Sequence, residues 1–86
     1  MSRSLLVTVR YFAAAGAAAG RDVEQLALSP GATVADLLNE LGSRTAELAR
    51  VLSGCSLLYE SVAVTDFAEP LRAGTTIDIL PQFAGG

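Results

Sequence analysis

The sequence predicts an α+β domain, a mixed sheet of four to five strands with one main helix and a shorter second helix on one face. Three observations carry this. Two alternating apolar segments open the chain, a strongly amphipathic segment follows a Pro-Gly break, and an alternating strand ending in proline closes it. The order of elements reads β-β-α-α-β-β-β. Pairing of the first and last strands as neighbours would place the closing strand centrally.

Taken in order, "SLLVTVRYF" puts Leu5, Val7, Val9 and Tyr11 on one face and Leu6, Thr8 and Arg10 on the other, a period of two. "RDVEQLALS" alternates likewise, with Leu26 and Leu28 on the face of Glu24. Between them, "FAAAGAAAG" is rich in alanine but punctuated by Gly16 and Gly20, and it reads as a loop with at most one helical turn. In "SPGATVADLLNELGS", Thr33 and Asp36 form a capping box, and Val34, Leu37, Leu38 and Leu41 make a helical stripe. Gly42 suits a left-handed helix end. "SRTAELARVLSG" predicts the shorter helix, with Ala46, Leu48, Ala49, Val51 and Leu52 as its apolar stripe. "CSLLYESVAVTD" then holds one or two short strands turning near Glu60 and Ser61, and Tyr59 and Phe67 are expected in the core. In "EPLRAGTTIDILP", Ile77 and Ile79 face one side, and Pro81, without an N–H, should end regular pairing.

Eighty-six residues make a single domain, 1–86, and half of them are hydrophobic, which suffices for a core. A single cysteine, Cys55, forbids an internal disulfide, and with no histidine a metal site is not expected. Cys55 reads as a small half-buried hydrophobe rather than a persulfide carrier. The usual general base is missing too. The net charge of −3 and the lack of a basic patch argue against nucleic acid. Nothing approaches a membrane span or a signal peptide, so a cytoplasmic, soluble protein is expected.

The ending "ILPQFAGG" is where chemistry is expected. Residues 81–86 form a flexible tail aimed by Pro81 and Leu80, reaching up to ~20 Å. Gly85 and Gly86 have no Cβ and pass through slots closed to other residues. Phe83 is the large apolar anchor. A terminal carboxylate is a poor electrophile; ATP would convert it to an acyl-adenylate, and a sulfur donor would then leave a thiocarboxylate. The chain offers no general base and no evident nucleophile, so the catalytic groups belong to partners. That division of labour fits a carrier rather than an enzyme.

"VTVRYFAAAGAAAG", "GATVADLLNEL" and above all "PLRAGTTIDILPQFAGG" resemble the MoaD/ThiS family of ubiquitin-like sulfur carriers, on the side of its molybdopterin synthase small subunits. Gln82 stands where the family's ending has a second proline. The resemblance implies a β-grasp fold. It implies adenylation of Gly86 by an E1-like adenylyltransferase that uses ATP, with no cofactor bound to the carrier itself. Sulfur would come from a donor such as a cysteine desulfurase or rhodanese. The tail would then enter the large catalytic subunit of molybdopterin synthase, in a heterotetramer, and the sulfur would help build the dithiolene. On this chain those roles fall on Gly86 as acyl carrier, Gly85 in the slot, and Pro81, Gln82, Phe83 and Ala84 in docking. The same tail chemistry would serve a thiamine, cysteine or other thio-metabolite pathway. A ubiquitin-like modifier, joined to targets through Gly-Gly, is a further reading, although a chain with no lysine cannot build lysine-linked polymers of itself. An interaction module with an inert tail is the last.

Overall fold

The computed structural model describes residues 4–81. Its elements are β1 (Leu5–Tyr11), α1 (Ala14–Ala19), β2 (Val23–Leu28), α2 (Val34–Gly42), α3 (Ala46–Leu52), β3 (Cys55–Tyr59), β4 (Val62–Ala63) and β5 (Thr76–Pro81). They form one five-stranded sheet in the order β2-β1-β5-β3-β4. β1 runs antiparallel to β2 and parallel to β5, while β5 runs antiparallel to β3. This is the mixed, helix-covered sheet of a ubiquitin-like β-grasp, and the closing strand is central, as expected.

The alternation read from β1 holds. Val7, Val9 and Tyr11 are buried, Leu6 and Arg10 exposed. They join Leu57, Tyr59, Ile77 and Ile79 from the sheet and Val34, Leu37, Leu41 and Leu48 from the helices in one core. Each such side chain contributes about 1.5–3 kcal/mol on leaving water.

Helix α2 begins with the expected capping box: Asp36 N–H donates to Thr33 Oγ1 at 3.2 Å, and Thr33 N–H donates to Asp36 Oδ2 at 2.9 Å. The next two free donors of the first turn are met by the loop after β4, since Val34 and Ala35 N–H donate to the carbonyls of Glu69 and Phe67. Phe67 is held there by its backbone, and its side chain is 49% exposed, not in the core as its aromatic character suggested.

Three further expectations are corrected. The alanine segment is a helix, α1, not a loop. Gly16 does not break it: Gly16 is buried within the helix, and a Cβ there would lie 3.3 Å from Asp22 Oδ1, so that side chain would have to give by a few tenths of an ångström. Gly20 ends it at φ 78°, the left-handed cap. Gly42, by contrast, is the last residue of α2, and the cap is Ser43 in right-handed geometry. In α3, Leu48 is buried and Val51 and Leu52 are half-buried, but Ala46 and Ala49 face outward, because the helix rests on the core along a narrow stripe.

The β3–β4 hairpin turns on Glu60 and Ser61, at φ 50° and 69°. This two-residue turn with both φ positive is one that asparagine and glycine fit best. Ser61→Gly should therefore raise stability by about 0.5–1 kcal/mol. The check is a higher urea midpoint at unchanged m; a lower midpoint would show that the serine side chain holds the turn.

Candidate functional site

The site is the root of the tail. β5 is hydrogen-bonded on both flanks, so Pro81 leaves a strand held from two sides. Regular pairing was expected to stop at Pro81; instead the β3–β5 register reaches it, with Cys55 opposite Pro81. The backbone explains this. Phe12 N–H donates to the Ile79 carbonyl at 3.1 Å, so the polar groups of Ile79 face β1. Those of Pro81, two residues on, face the same side, where β1 has already turned toward α1. The donor that proline lacks would have met no strand there. Strand pairing thus reaches one residue further than the sequence suggests. Gln82, Phe83, Ala84, Gly85 and Gly86, which carry the remaining site assignments, lie outside the described residues.

Around this root, the open face of the sheet carries a charged pair between neighbouring strands. Arg10 Nε lies 3.3 Å from Asp78 Oδ1, and the Arg10 guanidinium lies 5.3 Å from the centre of the Phe12 ring. Asp78 Oδ1 is buried and has no hydrogen bond of good geometry, so the Arg10 charge is what compensates it. On the other flank, the Cys55 thiol donates to the Val51 carbonyl at 3.1 Å, and burial pushes its pKa up. A thiol so placed has little thiolate at neutral pH and is a poor nucleophile. Cys55→Ser should accordingly leave sulfur loading of the tail unchanged, read as the mass of the intact protein; loss of loading in a folded variant would give the thiol a chemical role.

On β2 lies a polar cluster that the motif reading missed. Glu24 sits on the leucine face of β2 with its side chain 7% exposed. It accepts a hydrogen bond from the Tyr11 hydroxyl and a 2.7 Å ion-paired one from Arg44, while Arg21 stands at 3.5 Å. The signal was present: a carboxylate in register with Leu26 and Leu28 must find donors. Among the described residues, no group of histidine, cysteine and carboxylates could hold a metal, and no helix is long and apolar enough to cross a membrane.

Comparison with known proteins adds the family. The family model described as ThiS matches residues 9–86. The chain belongs to the ThiS family. A search of curated proteins returned no match. Among solved structures, this ThiS-family chain is similar to a Pyrococcus furiosus protein provisionally described as molybdopterin converting factor, subunit 1, at 26% identity and TM-score 0.85, over 93% of this chain and 100% of that one. It is similar to SAMP1 of Haloferax volcanii, a small archaeal modifier protein, at 24% identity and TM-score 0.80, over 94% and 99%. It also resembles a chain in a complex of subunits 1 and 2 of molybdopterin-converting factor from Helicobacter pylori, at 21% identity and TM-score 0.70, over 95% and 100%. The fold is therefore that of ubiquitin-like sulfur carriers and modifiers.

Proposed function

We propose that this chain is a sulfur carrier for molybdenum cofactor biosynthesis, working as the small subunit of molybdopterin synthase. The single observation that carries the reading is the placement of a Pro-Gln-Phe-Ala-Gly-Gly segment directly at the end of a central strand, in a chain of the ThiS family. A strand bonded on both flanks fixes where the segment starts, and no linker separates the two in the sequence.

In this reading the Gly86 carboxylate attacks the α-phosphate of ATP on an E1-like enzyme and releases pyrophosphate. The persulfide of a sulfur donor then displaces AMP to form an acyl disulfide, and a partner's thiol cleaves its S–S bond, forming a new disulfide and leaving the thiocarboxylate on Gly86. The charged tail enters a larger subunit, where Phe83 anchors it and Gly85 crosses the narrowest part. The subunit 1–subunit 2 complex of the Helicobacter pylori factor supports such a partner. Contributions of this chain are presentation and inertness: among its described residues the one thiol is half-buried, hydrogen-bonded to a carbonyl and raised in pKa, and the catalytic groups lie on the partners.

Similarity to a small archaeal modifier favours a second reading, attachment of the Gly-Gly end to lysines of other proteins. One experiment separates the two. The chain is incubated with ATP, its activating enzyme and a sulfur donor, and the products are weighed. Exchange of one oxygen for sulfur at the C-terminus supports the carrier, and transfer of that sulfur to the cyclic pterin precursor supports the molybdopterin assignment. Isopeptide adducts without sulfur exchange would replace it with the modifier, and an unchanged mass would refute both.

A further inference from the structure

The two edges of the sheet are unlike. β4, at one edge, is two residues long, while β2, at the other, has six. A long free edge is a template for another strand, and proteins guard such edges with lysine, proline, bulges or an inward charge. β2 has no lysine and no proline. Its one charge, Glu24, points inward, but Arg44 and the Tyr11 hydroxyl already compensate it. We infer that the β2 edge pairs with the β2 edge of a second copy of this chain, antiparallel about a two-fold axis at Gln25, with Arg21 of each copy against Asp36 and Glu40 of the other.

Backbone polarity is the first support. Tyr11 N–H donates to the Asp22 carbonyl at 2.8 Å, so the polar groups of Asp22 face β1, and by alternation so do those of Glu24, Leu26 and Leu28. Those of Val23, Gln25 and Ala27 face away from the sheet, and among the described residues no strand pairs with them. An axis at Gln25 matches all three at once: Val23 meets Ala27 of the second copy, Gln25 meets Gln25, and Ala27 meets Val23. Any other centre leaves at least one of the three opposite a residue outside β2, and a centre at Glu24 also opposes the two carboxylates. Val23, an aliphatic side chain 55% exposed, would then lie beside an alanine methyl instead of water. Leu26 and Leu28, half-buried at this edge, would lose more of their contact with solvent.

Charge is the second support. Arg21, two residues before β2, has a side chain 55% exposed and stands 3.5 Å from Glu24. In this register it lies opposite Ser29 of the second copy. Ser29 lines a hollow of about 350 Å³ whose walls include Asp36 and Glu40, both exposed and one turn apart on α2. A loosely held guanidinium thus faces two carboxylates, and the two-fold axis makes the contact twice. The pairing joins the two sheets into one and leaves β5, the strand that ends at Pro81, two strands in from β2, about 10 Å away. A contact of six residues a side is small, so the dimer exchanges with monomer on dilution.

The test needs no activating enzyme and no sulfur donor, so its result is independent of the carrier reading. In sedimentation of the full chain, the average mass should rise toward twice the monomer between about 10 µM and 1 mM. Over the same range, hydrogen exchange at the Val23, Gln25 and Ala27 amides should slow several-fold while core amides stay unchanged. Gln25→Pro removes a donor that faces outward, so it should spare the β1 pairing and raise the dimer dissociation constant at least about tenfold. Arg21→Glu should weaken the dimer several-fold, and adding Glu40→Arg should restore it; this pair decides the matter if proline at 25 hinders folding. A monomer at every concentration would overturn the proposal and leave the edge to another protein's strand. Amide protection that ignores concentration would also overturn it, by showing the edge covered within one chain. A dimer unchanged by Gln25→Pro would place the contact elsewhere, and one unchanged by Arg21→Glu would overturn the register.

Discussion

Deleting Gly86 should abolish the sulfur loading proposed for this chain and should leave the melting temperature within about 1–2 °C of the parent, the shift that a few tenths of a kcal/mol produces in a domain this small. The argument rests on where the fold ends. Among the described residues the core is made by residues between Val7 and Ile79, and the last strand pairing is Cys55 with Pro81. Gly86 lies five positions beyond that pairing, and the last residue of a chain contributes little to stability unless it is tied down. Loading, on the carrier proposal, would need a terminal carboxyl whose neighbour has no side chain; removal of Gly86 would leave Gly85 as the acyl group, one residue short of a partner's activating site. The two measurements are the intact mass after activation and a thermal melt. Sulfur exchange in the shortened chain would refute the role given to Gly86, and a melting point lowered by many degrees would show the tip bound tightly to the body. Gly85→Val should behave similarly, folding as the parent does while loading slowly, since a branched side chain fills the space that glycine leaves for the partner's channel.

How much of this was legible in the sequence differs element by element, for physical reasons. β1, β2 and α2 were readable because each buries one face, and burial stamps a period on the residues. The Thr33–Asp36 capping box is local chemistry, closed within four residues, and it formed as read. The alanine segment was misjudged because Gly16 carries two opposed meanings. Glycine weakens a helix, yet here it is buried in one, beside the Asp22 side chain just before β2, and that burial exists only once the sheet has formed. Phe67 misled in the same way: its aromatic ring suggested the core, but its backbone carbonyl is the group that the fold uses, as an acceptor for the first turn of α2. At the tail, family resemblance supplied the assignments, and the register supplied what the sequence could not, that Pro81 still belongs to the sheet because its missing donor faces the side that β1 has vacated.

The second large effect concerns Glu24, and it is one of stability. Burial by itself would raise the pKa of this carboxyl; the hydrogen bonds from Arg44 and Tyr11 and the charges of Arg44 and Arg21 outweigh it, and the net pKa is lowered. The sign follows. A carboxyl with a folded pKa below its unfolded value of about 4.3 contributes stability that is fully present above that value and is lost as pH falls through the folded pKa. Tyr11 works at the other end. Burial, then the hydrogen bond to Glu24 and its charge, push the phenol above its ordinary value of 10.0, so stability is lost as pH rises past that value and the unfolded chain ionises first. Glu24→Ala strands the Tyr11 hydroxyl, leaves Arg44 without its carboxylate and should cost about 2–4 kcal/mol, with Arg44 recovering some hydration because its side chain is 33% exposed. For a domain of this size that is a fall of about 10–20 °C in melting temperature. Glu24→Gln keeps the shape and a hydrogen-bonding oxygen, so it should cost less yet flatten the acid limb of the stability–pH curve, and Tyr11→Phe should flatten the alkaline limb. Urea melts from pH 3 to 7 on the parent and Glu24→Gln decide the matter: parallel curves would mean that the cluster does not hold its charge against acid, and that the strand edge at β2 is secured by its leucines alone.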